Sequence, residues 1–213
     1  MGDDQVIVLG GMIGVGKSSY ADAIGKYYGT EVFFESVDNN PILDKFYSDQ
    51  KRYGFMLQMY FLGTRFNAIK KAFHHRRSVL DRSIYEDALF TQVNYELGNI
   101  AKEEKMVYDM VFKEMMEEIE GMPKKAPDLF IYLRANFDTI MYRIGKRGRD
   151  FEQDEKLIEY YRYLHSKYDE WIYNSYDASQ VLTIDANKYD IHQEEDAKQI
   201  FSLVDNKLGL MKI

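Results

Sequence analysis

The most informative stretch of the sequence reads Gly10-Gly11-Met12-Ile13-Gly14-Val15-Gly16-Lys17-Ser18-Ser19. Residues 11–18 fit the P-loop pattern G-x-x-x-x-G-K-[ST]. The apolar run at residues 5–9 predicts a strand before the loop, and residues 18–28 predict a helix after it. Because strand, glycine loop and helix is the setting that a P-loop needs, the sequence predicts a site for nucleotide phosphates at residues 10–18.

The residue types of this stretch suit phosphate chemistry. Glycines let backbone N–H groups turn inward around phosphate oxygens, and the N-terminus of the following helix adds partial positive charge. Lys17 is expected to reach the β- and γ-phosphates, and Ser18 to place its hydroxyl on Mg²⁺. ATP with Mg²⁺ is therefore the expected donor, bound by residues 11–19.

Composition limits the classes of protein that the chain can belong to. Its 213 residues, 46% of them hydrophobic, suffice for one sizeable core and one domain over residues 1–213. A net charge of −7 argues against a general nucleic-acid binder, and the absence of cysteine excludes disulfides and thiolate metal sites. No apolar run is long enough for a signal peptide or a membrane span, so we expect a cytoplasmic protein with no membrane partner.

Predicted strands and helices alternate along the chain. The predicted strands are residues 5–9, 31–34, 78–80, 129–133 and 181–184. The predicted helices are residues 18–28, 42–47, 51–73, 84–97, 102–120, 139–146, 154–174 and 194–207, with a turn at 38–41 and a connector at 123–127. This order predicts an α/β fold, a five-stranded parallel sheet with helices on both faces.

Polar residues follow two of the predicted strands. In parallel sheets, ligands bind at the carboxyl ends of the strands, so Glu35, Asp81 and Arg82 are expected at the same edge as the P-loop. Asp81 could hold Mg²⁺ as a Walker-B acid does, and Glu35 could take the proton from an acceptor hydroxyl. Arg82 could bridge Glu35 and the transferring phosphate, or form a plain salt bridge.

A cluster of arginines surrounds a helix-ending glycine. Arg143 and Arg147 are one turn apart on a predicted helix, and Gly148 separates them from Arg149. We name residues 143–153 the lid, because three guanidiniums beside a glycine could neutralise γ-phosphate charge in the transition state. The basic run at residues 74–77 is interpreted instead as cations at a helix C-terminus, with a phosphate clamp as the alternative.

The predicted long helix carries a further polar pair. Gln58 and Arg65 are seven residues apart and share one face, and Asp87 lies in the first turn after Asp81-Arg82-Ser83. If they converge near Glu35, these three side chains form a hydrogen-bonding frame for a flat polar ligand.

Together these residues resemble the deoxynucleoside kinase family, most of all its bacterial deoxyadenosine and deoxyguanosine kinases, from Val6 to about Asp190. The resemblance implies the P-loop kinase fold, a general-base role for Glu35, and a 5′-end arginine in Arg82. It implies that Tyr47 and Glu152 hold the 3′-hydroxyl, and that Gln58 reads the base. Arg65 and Asp87 match members that accept purine deoxynucleosides or deoxycytidine.

The same resemblance also predicts which residues bind ATP and how the chains assemble. The lid arginines match those of the family, and the resemblance implies that the loop Asn187-Lys188-Tyr189 packs against the adenine of ATP through its backbone. A homodimer formed by helices that flank the sheet is also implied. Two positions depart from the common pattern: Ser36 stands where many members have proline, and Asp81 where many have glutamate. The shorter acid could hold Mg²⁺ through water.

Three rival interpretations stay open. Asn187-Lys188-Tyr189-Asp190 spells the N-K-x-D pattern of GTPases, although Ile84 stands where D-x-x-G requires glycine. A nucleoside monophosphate kinase needs a further cation for the acceptor phosphate, which Arg65 could supply. The third is a catalytically silent structural subunit, which the intact Lys17, Glu35 and Arg82 disfavour.

Overall fold

Five parallel strands form the centre of the computed structural model, which describes residues 5–35, 37, 39–75, 77–122 and 124–210. The strands are β1 (Val6–Gly11), β2 (Glu31–Phe33), β3 (Ser78–Asp81), β4 (Leu129–Arg134) and β5 (Gln180–Asp185). Their order in the sheet is β2-β3-β1-β4-β5, with every pairing parallel. This confirms the predicted α/β class and strand number.

Eight α-helices pack around the sheet in the part of the chain just given. They are α1 (Lys17–Tyr28), α2 (Leu43–Ser48), α3 (Gln50–His75), α4 (Tyr85–Glu96), α5 (Lys102–Glu120), α6 (Phe137–Arg147), α7 (Leu157–Asn174) and α8 (Glu194–Lys207). Each corresponds to a predicted helix. None of the described helices is both long and apolar enough to cross a membrane.

The bounds differ from the prediction where a local contact extends or shortens an element. The α6 helix begins two residues earlier than predicted, because the Asn136 side chain accepts a hydrogen bond from Thr139 N at 2.8 Å and caps it. The sequence did not predict the 3-10 helix Asp150–Glu152, which lies inside the lid. Ser36, Asp38 of the predicted turn, Arg76 of the basic run and Pro123 of the connector lie outside the described residues.

The register of the sheet positions the functional edge. Leu9 of β1 pairs with Asp81, the last residue of β3, and Gly11, the last residue of β1, pairs with Leu133 of β4. The carboxyl ends of β1 and β3 therefore lie side by side. Strand β1 is buried along its whole length, as expected for the central strand of a sheet covered by helices. The P-loop therefore begins next to the residues that follow β3.

Candidate active site

A cavity of ≈ 860 Å³ opens at the carboxyl edge of the sheet. Its walls come from the P-loop, the segment after β2, helix α3, the end of β3, the lid and the loop after β5. The predicted site residues that line it are Ile13, Gly14, Val15, Gly16, Lys17, Ser18, Ser19, Glu35, Tyr47, Gln58, Arg65, Asp81, Arg82, Arg143, Arg147, Arg149, Glu152, Asn187, Lys188 and Tyr189. Asp87 is fully buried and lies outside this lining, in contact with Arg65.

The P-loop holds its lysine over the loop's own backbone. Lys17 is buried, and its Nζ donates hydrogen bonds to the carbonyl oxygens of Gly11 at 2.9 Å and Met12 at 3.1 Å. Gly16 caps α1 with φ 109°, a left-handed conformation that glycine adopts without strain. Burial, together with the charge of Arg82, lowers the pKa of Lys17 to about 7. An anionic phosphate at this position would restore the charged form.

Two oxygens suited to a hard cation stand side by side. The hydroxyl of Ser18 donates to Oδ2 of Asp81 at 2.5 Å. The other oxygen of Asp81 is buried without a hydrogen-bond partner among the described residues, and burial raises the pKa of this carboxyl. A hydroxyl and a carboxylate, completed by phosphate oxygens and water, form a donor set that Mg²⁺ prefers. The described chain holds no group of three or more His, Cys, Asp or Glu that would form a metal cage by itself.

Glu35 lies between two guanidiniums. Arg65 donates a hydrogen bond to Glu35, and Nε of Arg82 lies 3.4 Å from the same carboxylate. Burial alone would raise the pKa of Glu35, but the charges of Arg65 and Arg82 outweigh it and hold the pKa at about 2. The carboxylate is therefore ionised at neutral pH, and it is also a weak base while both arginines contact it.

Arg65 joins the two halves of the predicted ligand frame. Its guanidinium contacts Glu35 on one side and the fully buried Asp87 on the other. Gln58 lies on the same helix, almost fully buried, with its side-chain oxygen unpartnered among the described residues. A donor and an acceptor with unused capacity on a cavity wall can recognise the polar edge of a base.

Apolar residues complete the inner wall of the cavity. Leu57, Phe61, Phe90 and Tyr160 all line it, and the Phe61 ring lies 4.4 Å below the Arg65 guanidinium. Sequence analysis did not single out any of these four. Aromatic residues at helical spacing are typical of any core, so the sequence carries no signal that separates a ligand-facing ring from a packed one.

The lid arginines make three different contacts. Arg143 donates to the carbonyl oxygens of Val15 at 2.6 Å and Ala186 at 2.8 Å, which connects the P-loop to the loop after β5. Arg147 forms an ion pair with Glu152, and Arg149 lies 3.7 Å from the same carboxylate. All three arginines line the cavity, so the lid would place several positive charges around a bound phosphate.

The lid and the P-loop also touch directly. Gly14 has φ 80°, and a Cβ built on it would approach the Ile144 side chain to 2.6 Å. Glycine is therefore required at this position for both its backbone conformation and its lack of a side chain.

Tyr47 and Glu152 meet at the opposite end of the lid. The Tyr47 ring stacks on Phe151 at 5.5 Å between centroids, and burial raises the pKa of its hydroxyl well above the usual value. Glu152 is buried and receives the ion pair from Arg147. A phenol beside a carboxylate can bind a hydroxyl group as donor and acceptor together.

The N-K-x-D segment is occupied by contacts within the fold. The Asn187 side chain donates to Asp185 at 2.7 Å and accepts from Asn136 N at 3.2 Å. The carbonyl oxygen of Tyr189 accepts from Tyr20 at 2.7 Å. Because the asparagine side chain is already used, this loop offers its backbone rather than a guanine-reading amide.

Comparisons with a family profile, with related sequences and with solved structures all identify deoxynucleoside kinases. The sequence profile of the family "Deoxynucleoside kinase" matches residues 7–208. A deoxyguanosine kinase of Lactobacillus acidophilus is 48% identical over 92% of this chain and 86% of that protein, and a deoxyadenosine kinase of the same organism is 43% identical over 96% of each. The solved structure of deoxyadenosine kinase from M. mycoides with bound dATP superimposes with a TM-score of 0.80 and 31% identity, covering 94% of this chain and all of that one.

Proposed function

The chain belongs to the deoxynucleoside kinase family, and we propose on that premise that it transfers the γ-phosphoryl group of ATP to the 5′-hydroxyl of a purine deoxynucleoside. One observation carries the proposal: Lys17 of the P-loop and Glu35 after β2 line the same cavity. A phosphate-binding cation and an ionised carboxylate facing one space are the minimum needed to bring a donor phosphate to an acceptor hydroxyl.

The donor binds along the P-loop. Backbone N–H groups of residues 11–19 surround the phosphates, and Lys17 takes up its full charge beside the β- and γ-phosphates. Ser18 and Asp81 would hold Mg²⁺, which would neutralise part of the phosphate charge. The adenine lies against the backbone of Asn187, Lys188 and Tyr189.

The acceptor hydroxyl meets Glu35. As the 5′-oxygen attacks the γ-phosphorus in line with the leaving ADP oxygen, Glu35 accepts the hydroxyl proton. Arg82 lies within 3.4 Å of Glu35 and 3.3 Å of the Gly11 carbonyl, so it is suited to stabilise charge that develops between acceptor and donor. The lid arginines Arg143, Arg147 and Arg149 add positive charge around the transferred group.

Three side chains select the base. Gln58 offers one donor and one acceptor side by side, which suits the N1/N6 edge of adenine. The Arg65–Asp87 pair accepts an amino group at Asp87 or donates to guanine O6 and N7 from Arg65. Purine deoxynucleosides therefore come first, deoxycytidine second and thymidine last.

Two side chains select the sugar. Tyr47 and Glu152 bind the 3′-hydroxyl, and the stacked Tyr47 ring leaves little room for a 2′-hydroxyl. Deoxynucleosides are accordingly better acceptors than ribonucleosides.

We further propose that residues 1–213 form a single cytoplasmic domain that assembles as a homodimer. The location follows from the substrates, since ATP and salvaged nucleosides are cytoplasmic metabolites. Support for the dimer comes from α3 and α5, which pack against each other and expose the apolar side chains of Met56, Met106 and Met110. Light scattering of the purified protein, with Met106→Glu and Met110→Glu variants, tests the assembly.

A substrate panel tests the reaction. The four deoxynucleosides, adenosine and dAMP are each incubated with γ-labelled ATP and Mg²⁺, and labelled products are identified. We expect 5′-monophosphates of deoxyadenosine, deoxyguanosine or both. A product from dAMP alone identifies a monophosphate kinase, and no turnover with any acceptor identifies a silent subunit. A parallel incubation with γ-labelled GTP and no acceptor tests the third rival, since hydrolysis of GTP alone identifies a GTPase.

A further inference from the structure

A carboxylate that the proposed reaction does not use occupies the centre of the polar network. Glu86, in the first turn of α4, is fully buried. Its Oε1 accepts hydrogen bonds from Gly11 N at 3.0 Å, from the Arg82 guanidinium at 2.9 Å and from the Tyr168 hydroxyl at 3.1 Å. One oxygen therefore connects the start of the P-loop, the residue after β3 and helix α7.

Arg82 depends on these contacts for its position. Its backbone has φ 77°, a left-handed conformation that is costly for a residue with a side chain. The same guanidinium nitrogen that binds Glu86 also donates to Tyr168 at 3.0 Å, and the other terminal nitrogen donates to the Gly11 carbonyl at 3.3 Å. These partners leave Nε of Arg82 directed toward Glu35 at 3.4 Å.

We propose that Glu86 is a positioning residue that fixes the Arg82 guanidinium between the phosphate loop and Glu35. The inference rests on the proposed function, because it assigns a role within that reaction. One oxygen of Glu86 contacts both the backbone of the phosphate loop and the Arg82 guanidinium, which lies beside Glu35. Glu86 therefore fixes the donor side of the site relative to the acceptor side.

Packing alone does not explain a carboxylate here. An uncharged glutamine of nearly the same shape could accept from Gly11 N and from Tyr168, at a lower desolvation cost than a buried charge. The negative charge gains its advantage from Arg82, which carries a positive charge in an almost fully buried position.

The chain contains a matched control for the variant Glu86→Gln. Asp128 accepts a hydrogen bond from Val6 N at 2.6 Å and pairs with Lys124 at 2.8 Å. It thus binds the backbone of β1 and a cation, as Glu86 does, but at the end of the strand away from the cavity. Asp128→Asn removes the same kind of interaction without approaching the site.

The measurements are kcat and KM for deoxyadenosine, the ¹⁵N NMR signal of Arg82 Nε, and the melting temperature, each for wild type and both variants. We expect Glu86→Gln to lower kcat by about 10²-fold with little change in the deoxyadenosine KM, the effect of displacing a group that acts in the transition state. We expect Asp128→Asn to lower only the melting temperature.

The signal of the Arg82 side chain provides a second readout that a purely structural role would not change. In the wild type the guanidinium is held by Glu86, by Tyr168 and by the Gly11 carbonyl oxygen. Glu86→Gln should shift or broaden the ¹⁵N NMR signal of Arg82 Nε, because the guanidinium loses its charged partner. Asp128→Asn should leave this signal in place.

Each outcome decides the proposal. Unchanged kcat and an unchanged Arg82 Nε signal in Glu86→Gln, with a melting temperature lowered as in Asp128→Asn, would show that Glu86 is structural only. If Glu86→Gln does not fold, Glu86→Asp replaces it, because the shorter carboxylate keeps its charge but withdraws from Gly11 N, Arg82 and Tyr168. A fall in kcat at constant KM then supports the proposal, and unchanged kcat overturns it. A wild-type protein that phosphorylates no deoxynucleoside refutes the proposed function itself, a result visible before any variant is made.

Discussion

The Arg65 guanidinium donates a hydrogen bond to the Glu35 carboxylate, so one side chain connects the proposed base-recognising end of the cavity to its proposed reacting end. The other side of the guanidinium contacts Asp87. A nucleobase that engages Arg65 or Asp87 must therefore alter the surroundings of Glu35. In the proposed function, recognition of the base and the basicity of Glu35 are therefore linked through this arginine.

This link predicts the behaviour of Arg65→Met. Removing the arginine charge should raise the pKa of Glu35 from about 2, because burial then opposes ionisation with less compensation. The acid limb of kcat/KM should appear at higher pH than in wild type, and carboxyl NMR of Glu35 measures the shift directly. The variant should also lose about 3–5 kcal/mol of stability, since it leaves Asp87 buried without its partner.

Arg52→Met serves as the control for Arg65→Met, since Arg52 is exposed on the same helix. Its acid limb and its stability should match those of the wild type. An acid limb in Arg65→Met identical to that of Arg52→Met would disprove the link.

Glu35→Gln should lower kcat by about 10²–10⁴-fold, the usual contribution of a general base. The substituted amide retains the size of the glutamate side chain and cannot accept the hydroxyl proton, so the dissociation constant of deoxyadenosine should change far less than kcat. Single-turnover rates with labelled ATP and equilibrium binding separate the two quantities. A near-normal kcat would remove Glu35 from the mechanism.

ATP binding should be accompanied by uptake of a proton by Lys17. The pKa of Lys17 is about 7 in the free protein, so at about pH 8 most molecules carry a neutral lysine, and bound phosphates favour its charged form. At about pH 6 the lysine is already charged, and the uptake should disappear. Calorimetry in buffers of different ionisation enthalpy counts the protons.

Lys26→Met is the matched control for the calorimetry, because Lys26 is on the same helix but exposed, and it pairs with Asp22. It should take up protons as the wild type does. Lys17→Met should show none. Equal uptake at both pH values in the wild type would refute the low pKa of Lys17.

The residues that could be predicted from sequence are those whose position follows from local rules. Lys17 and Ser18 are fixed by the spacing of the P-loop motif, and Asp81 and Arg82 by the end of a buried strand. Their convergence at one edge is a property of parallel sheets and needs no knowledge of side-chain packing.

The contacts that sequence reasoning could not specify join distant elements. The Arg65–Glu35 contact joins residues 30 positions apart, and Tyr168 reaches Glu86 across 82 positions. No local pattern predicts which rotamer a long side chain adopts at the junction of several elements. For the same reason Phe61 and Phe90 cannot be told from ordinary core residues until α3 and α4 are placed around the cavity.

The position of the Tyr47 ring predicts that the protein discriminates against nucleosides that carry a 2′-hydroxyl. Adenosine should be a poorer substrate than deoxyadenosine by about 10–10² in kcat/KM, the range that a packed pocket achieves against an added hydroxyl. Because the ring stacked on Phe151 is the obstacle, Tyr47→Phe should narrow this ratio only slightly. The guanosine and deoxyguanosine pair provides an independent comparison. Equal kcat/KM for adenosine and deoxyadenosine in the wild type would contradict the assignment.

Asp87 determines the last prediction, the rejection of thymidine. An ionised carboxylate only accepts hydrogen bonds, so it suits the amino groups of adenine and cytosine. Guanine offers O6 and N7 to Arg65 together, whereas thymine has O4 beside a methyl group and no second acceptor there. Asp87→Asn places an amide donor at the same position, which can bind thymine O4.

The change Asp87→Asn should raise kcat/KM for thymidine and lower it for deoxyadenosine. Each shift should amount to about 1–3 kcal/mol, roughly tenfold to a few hundredfold, because a mismatched buried polar pair is being corrected in one case and created in the other. Glu96→Gln, at the exposed end of the same helix, should leave both values unchanged. Efficient phosphorylation of thymidine by the unmodified protein would rule out this account of the base pocket while leaving the kinase assignment intact, because the phosphate loop and Glu35 act on any 5′-hydroxyl that reaches them.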